Sequence, residues 1–181
     1  MNMTTTKPIY IYERQGTPLI ANNYLELREK FLQGFESDLA NANGVLYKVL
    51  LSHQPLIKYL DSLLNFHQQS GTKLDISVPD VIDELMHVFS TSNVDPSRFD
   101  DVIDVSSRLY VKQPPHSISQ PSIVASQSLL PTDLLCIPTN MILELWVKEG
   151  SNTSHVALVA DSLDIPYKVL LDAQWHDIST N

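Results

Sequence analysis

Between Leu25 and Leu109 apolar side chains recur at spacings of three and four, the period of helices that bury one face. Asn23 followed by Glu26 resembles a capping box ahead of apolar Leu25, Phe31, Leu32, Phe35 and Leu39. That pattern predicts a helix ending near Asn43–Gly44. GVLYKVLLS begins a second helix. Pro55 suits the first turn of a third, PLIKYLDSLLNFHQQ, which Gly71 closes. VPDVIDELMHVF places Val81, Ile82, Leu85, Met86 and Phe89 on one face. Asp95–Pro96 reads as an N-cap and first-turn proline, and Phe99, Val102, Ile103 and Leu109 are the expected buried stripe of the helix that follows. Residues 22–111 therefore read as a helical bundle with short connections.

The flanks have a different period. KPIYIYE (Lys7–Glu13) is β-branched and aromatic, and reads as a strand before the breakers Gly16 and Pro18. KQPPHSISQPS (Lys112–Ser122) is a proline- and serine-rich linker. After it strand and helix signals alternate: strand SIVASQ, a short helix around PTDLLCI, strand MILELWV, turn KEGSNT, helix SHVALVADSL, strand YKVLL. The expected fold class is α/β plus an all-α insert. Residues 1–21 carry the first strand, 22–111 the insert, and 112–181 the rest of the α/β domain. The first strand has no partner nearby in sequence, so it is expected to pair with the C-terminal sheet.

Composition narrows the partners. The 181 residues are 43% hydrophobic and 18% charged, enough for a buried core. A formal net charge of −9 argues against nucleic acid and anionic membranes, which need lysine and arginine. It suits encounter with a basic protein, although composition alone favours the plainer reading that acidity serves solubility. Cys136 is the single cysteine, so no intramolecular disulfide forms. Its neighbours Leu134, Leu135 and Ile137 predict a buried thiol. Apolar stretches are too short to span a membrane and the N-terminus has no signal core, so a cytoplasmic chain without membrane insertion is expected.

One titratable residue stands at a helix start. His155 follows Gly150, Thr153 and Ser154. A helix N-terminus offers backbone N–H groups and a positive dipole end to an anion. Thr153 and Ser154 add hydroxyl donors, and a neutral imidazole is a nucleophile near pH 7. On these features alone an inert cap histidine is the plainer reading. His53, His67, His87, His116 and His176 are scattered without ligand spacing, so no metal site is expected. No glycine-rich phosphate loop occurs.

The wider window, SIVASQSLLPTDLLCIPTNMILELWVKEGSNTSHVALVADSLDIPYKVLL, resembles the phosphohistidine swivelling domain of phosphoenolpyruvate-utilising enzymes. Gly150, Thr153, Ser154, His155, Ala160, Ile165 and Pro166 match that family's histidine motif at its spacing. LLPTDLL resembles its Leu-x-Pro-Ser-Asp/Glu segment. VPDVIDELMHVFSTSNVDPSRFDDVIDVSSRLY and VLLSHQPLIKYL resemble the helical insert of enzyme I of the sugar phosphotransferase system, with Asp101, Asp104 and Arg108 in its Asp-x-x-Asp run. The insert argues against the related swivel domains of dikinases and phosphoenolpyruvate synthases.

The resemblance implies that His155 exchanges a phosphoryl group with the small phosphocarrier HPr, with Thr153 and Ser154 binding the phosphate. It implies that Tyr47, Leu50 and Leu51 fall where the insert contacts HPr, although for the two leucines helix core is an equal reading. Magnesium and phosphoenolpyruvate belong to a barrel domain absent from this sequence. No cofactor is therefore expected in this chain, which is not expected to use phosphoenolpyruvate on its own. A separate phosphoenolpyruvate-binding domain is a possible partner. Four positions depart from the pattern: Ser151 replaces a glycine, Asn152 and Asp161 replace arginines, and Leu134 replaces a threonine that orients the histidine. Asp161 lies about 9 Å along the helix axis from His155, too far for an aspartate to reach back. The departures support an alternative: a degenerate enzyme I-like binding or regulatory protein with little transfer activity.

Overall fold

The computed structural model describes residues 6–14, 16–71, 78–92, 98–112 and 118–180. The Asp95–Pro96 cap, His116 and much of the Lys112–Ser122 linker lie outside the described residues. In chain order the strands are β1 (Ile9–Ile11), β2 (Gly16–Pro18), β3 (Tyr110–Lys112), β4 (Ser122–Ser126), β5 (Ile142–Val147) and β6 (Tyr167–Val169). The α-helices are α1 (Tyr24–Asn41), α2 (Gly44–Ser52), α3 (Gln54–Gln69), α4 (Val78–Thr91), α5 (Phe99–Ser106), α6 (His155–Ser162) and α7 (Asp172–Ser179). The chain divides into two compact units. One comprises Met1–Gln15, Asn43–Leu46 and Gln113–Asn181, and the other Gly16–Ala42 and Tyr47–Lys112.

The first unit is built on a four-stranded parallel sheet of order β1-β4-β5-β6. Ile9 pairs with Ile123 and Ile11 with Ala125, so the N-terminal strand does join the C-terminal sheet. Side chains alternate across a strand. Ile123, Ala125 and Trp146 cluster with Leu170, Ile9, Ile11, Trp175 and Ile178 on the face covered by α7. The crossover β4→β5 carries a 3₁₀ turn, Pro131–Leu135, that packs against α6 of the crossover β5→β6. α7 has no counterpart in the sequence reading. Its apolar signal is only Trp175 and Ile178, three residues apart, and Gln174 caps it by accepting from Leu171 N–H at 3.0 Å. Cys136 is half-buried rather than buried, because it leaves the 3₁₀ turn at its exposed end.

The second unit packs α1, α3, α4 and α5. Tyr24, Leu27, Phe31 and Phe35 meet Ile57, Leu60 and Leu64, Val81 and Leu85, and Val102, Val105 and Leu109. Leu25 and Ile103, expected inside, are exposed. Each lies about 100° round its helix from the stripe that begins one residue earlier. The capping box is shifted: Asn23 Oδ1 accepts from Glu26 N–H at 2.9 Å, but Glu26 Oε2 accepts from Asn22 N–H at 2.8 Å. β2 and β3, where breakers and helix were expected, form an antiparallel ribbon with Thr17 opposite Val111. Three-residue strands separated by the whole bundle carry no periodic signal.

This unit also buries a charge cluster. His53, N-cap of α3, is 1% exposed and lies 3.1 Å from Asp101 Oδ1 through Nε2 and 3.1 Å from Asp104 Oδ2 through Nδ1. Arg108 Nε is 3.0 Å from Asp38, its Nη1 donates to Asp104 O at 2.9 Å, and its guanidinium lies 5.2 Å from the Phe35 ring centre. Nε2 is in hydrogen-bond contact with Asp101, and Nδ1 stands at ion-pair distance from Asp104, an arrangement that favours the imidazolium form. Burial alone would lower its pKa. The hydrogen bonds and charges of Asp101 and Asp104 outweigh that and raise it to about 8 from 6.5.

Because the folded value exceeds the unfolded one, the stabilisation is complete below pH 6.5 and is lost as pH rises through 8. The span corresponds to about 2 kcal/mol. Urea unfolding should give a free energy about 2 kcal/mol lower at about pH 9 than at about pH 6. His53→Gln should be less stable at both, by about 3 kcal/mol at the lower pH, with most of the pH dependence gone. A native protein whose stability is flat across this window contradicts the assignment.

Candidate functional site

The carboxyl ends of β1, β4 and β5 meet at one edge of the sheet. There Tyr12 N–H donates to Ala125 O at 2.8 Å, Lys148 N–H to Ser126 O at 3.1 Å and Glu149 N–H to Gln127 O at 2.7 Å. Ligand sites of open parallel sheets form at such ends. Gly150 then turns the chain across Tyr167: a Cβ there would stand 2.7 Å from Tyr167 Oη and 3.1 Å from Val147 Cγ2. Ser154 N–H closes the turn onto Ser151 O at 3.2 Å.

Ser154 is the N-cap of α6, and its Oγ accepts from Ala157 N–H at 3.2 Å. A hydroxyl that accepts one bond still carries a proton to donate. His155 is the first residue of the helix and is half-buried. Thr153 is exposed, with Oγ1 3.2 Å from Ser151 Oγ. Thr153, Ser154 and His155 thus share the mouth of α6, where backbone N–H groups and the dipole favour an anion. Of the departures, Asn152 and Asp161 are exposed and Leu134 is buried. α6 ends in a Schellman motif: Ile165 N–H donates to Ala160 O at 2.9 Å and Asp164 N–H to Asp161 O at 3.1 Å, with Asp164 at φ 56°.

Beneath α6 lies a knot invisible to sequence reasoning. Asp133, in the 3₁₀ turn against α6, accepts from Tyr12 Oη at 2.8 Å, from Arg14 Nε at 3.0 Å and Nη2 at 2.7 Å, and from Leu130 N–H at 2.7 Å. Burial and Asp133 push the Tyr12 phenol pKa upward, so it stays a donor. Tyr12 and Arg14 lie more than a hundred positions from Asp133 in the chain, and no local spacing announces them.

The three residues expected to meet a partner lie on α2. Tyr47 and Leu51 are 41% and 38% exposed, but Leu50 is 0% exposed. Leu50 is therefore a packing residue in this structure and presents no contact surface. No described helix is long and apolar enough to cross a membrane.

Comparison with known proteins agrees with this architecture. No protein-family model matches the sequence. Multiphosphoryl transfer protein 2 of Escherichia coli (strain K12) is 29% identical over 154 residues, 78% of this chain. The match spans only 18% of that protein's own length. The solution structure of Enzyme I (nEIt) superposes with a TM-score of 0.52 at 21% identity, over 90% of this chain and 76% of that one.

The close approach at Gly150 is testable. Gly150→Ala should destabilise the protein by about 1–3 kcal/mol through overpacking. Tyr167→Phe should recover part of that loss, giving a favourable coupling of at least about 0.5 kcal/mol in a double-mutant cycle. Strictly additive effects would show that Tyr167 is not the obstacle. The sheet order, the α6 histidine turn and the two comparisons converge: the chain is an α/β protein with the fold of the N-terminal domain of Enzyme I.

Proposed function

We propose that this chain is a phosphohistidine transfer module of the enzyme I type. The observation that carries the reading is His155 opening α6 behind Thr153 and the Ser154 cap, in a chain similar to a multiphosphoryl transfer protein. A neutral His155 attacks the phosphorus of a phosphohistidine on an HPr-like carrier through its ring lone pair. One P–N bond forms as the other breaks, and the electron pair returns to the carrier's ring. That ring, protonated on its other nitrogen, leaves neutral. The reverse transfer follows the same path. Such chemistry needs positioning and charge stabilisation more than a base.

In this reading residues 22–111 form the docking insert. Tyr47 and Leu51 are its exposed apolar contacts, and the net charge of −9 suits a basic carrier face. Magnesium and phosphoenolpyruvate are assigned to a separate barrel domain, and the setting is a cytoplasmic sugar phosphotransferase system. A second reading, a carrier-binding protein that transfers little, is favoured by Asn152, Asp161 and Leu134.

Mixing the protein with radiolabelled phospho-HPr should give an acid-labile, base-stable label that His155→Ala abolishes. A native protein that binds the carrier and takes no label rejects transfer in favour of the second reading.

A further inference from the structure

The turn that presents His155 carries exposed side chains at Ser151, Asn152 and Thr153. It meets the sheet at its first residue, Gly150, where the room for a side chain is already taken. A Cβ there would stand 2.7 Å from Tyr167 Oη and 3.1 Å from Val147 Cγ2, both inside ordinary van der Waals separation.

Tyr167 is a firm support for that contact. It lies half-buried in β6, opposite Leu145 of β5 and out of step with Trp146, whose face carries α7. The next residue, Lys168, goes to the Trp146 side, with Nζ 5.4 Å from that ring's centre. Backbone bonds hold the strand on either side of Tyr167: Leu145 N–H donates to Pro166 O at 2.8 Å and Leu170 N–H to Val147 O at 2.7 Å. α6 packs against the same strand. Beyond Gly150 the chain is hydrogen-bonded into α6. Ser154 N–H donates to Ser151 O and Ala157 N–H to Ser154 Oγ, both at 3.2 Å. A displacement of Gly150 is thus handed on to His155 through a closed turn.

We propose that Tyr167 is a positioning residue for His155: its phenol hydroxyl sets how far the turn stands off the sheet, and so where the imidazole meets the phosphorus of its donor. The inference rests on His155 accepting a phosphoryl group. Phosphoryl transfer depends chiefly on placement, so a residue acting through the backbone controls its rate. The two partners are also exchangeable. With Oη gone, Tyr167 Cζ would stand 4.0 Å from a Gly150 Cβ, an ordinary contact. A methyl on residue 150 then fills the space that the hydroxyl leaves.

The test compares native protein with Gly150→Ala, Tyr167→Phe and the double variant, each checked for folding by amide NMR. Labelling by radiolabelled phospho-HPr is followed over a range of carrier concentrations. At saturating carrier Gly150→Ala should transfer about tenfold more slowly and Tyr167→Phe about threefold, while the double variant regains about half the native rate. The carrier concentration for half-saturation should stay native in all three, because docking is assigned to residues 22–111. The ring proton and nitrogen signals of His155 should follow the rate, displaced in each single variant and returned in the double. A merely structural role would lower stability and leave the folded protein with native rates and ring signals. That outcome overturns the proposal, as does a folded double variant as slow as Gly150→Ala. If Gly150→Ala does not fold, Tyr167→Phe decides: native rate and ring signals in that variant reject the proposal. If native protein takes no label, the transfer reading fails, and the ring signals alone judge Tyr167: signals unmoved by either substitution reject it.

Discussion

The parallel pairing of β1 with β4 is the constraint on which the first unit depends. It brings Ile9 beside Ile123 and Ile11 beside Ala125, and so makes one sheet of the two ends of the described chain. Closing a loop of that length has an entropic cost that rises only with the logarithm of its length. A large insertion is therefore tolerable once the register is specified. Specification comes from alternation. A slip by one residue would turn Ile9 and Ile11 away from Trp146, Trp175 and Ile178 and bring Tyr10 and Tyr12 to the α7 face. Tyr12 would then lose Asp133. Hydrophobic register and polar anchoring point to the same alignment.

The second unit solves a different problem. A bundle of this size could have an entirely apolar interior, but here α5 and the turn after it carry Asp101, Asp104 and Arg108 into it. With Asp38 and an imidazolium at His53, three carboxylates face two cations, and Arg98 approaches Asp101 at 4.0 Å from the surface. Nearly balanced charge is what makes such burial tolerable. Removing one member of such a cluster leaves its partner buried without a counter-charge. The α2–α3 junction, which His53 caps, is fixed to α5 in this way.

The helices were legible because their stripes repeat. Val81, Ile82, Leu85, Met86 and Phe89 belong to the core as their spacing required. Leu25 and Ile103 were misplaced because an apolar residue beside a stripe has the same composition as one within it. β2 and β3 were illegible because three residues are too few to show alternation, and α7 because two apolar residues make a weak helix signal. At the candidate site the local chain was readable: the turn, the cap and His155 follow one another in sequence. Asp133 and its partners were not, since a tertiary hydrogen bond leaves no periodic trace. The apolar environment of Leu50 was readable as an alternative, and only the fold decides between helix core and surface.

The two outer strands of the parallel sheet, β1 and β6, are three residues each, and Lys168 occupies the middle of one. So short a border offers an incoming strand few hydrogen bonds, and a charged centre disfavours stacking of sheets. Strand addition, a common route to self-association and to capture of extended peptides, has little to work with here. At these two edges, among the described residues, recognition of another chain rests on side chains more than on backbone.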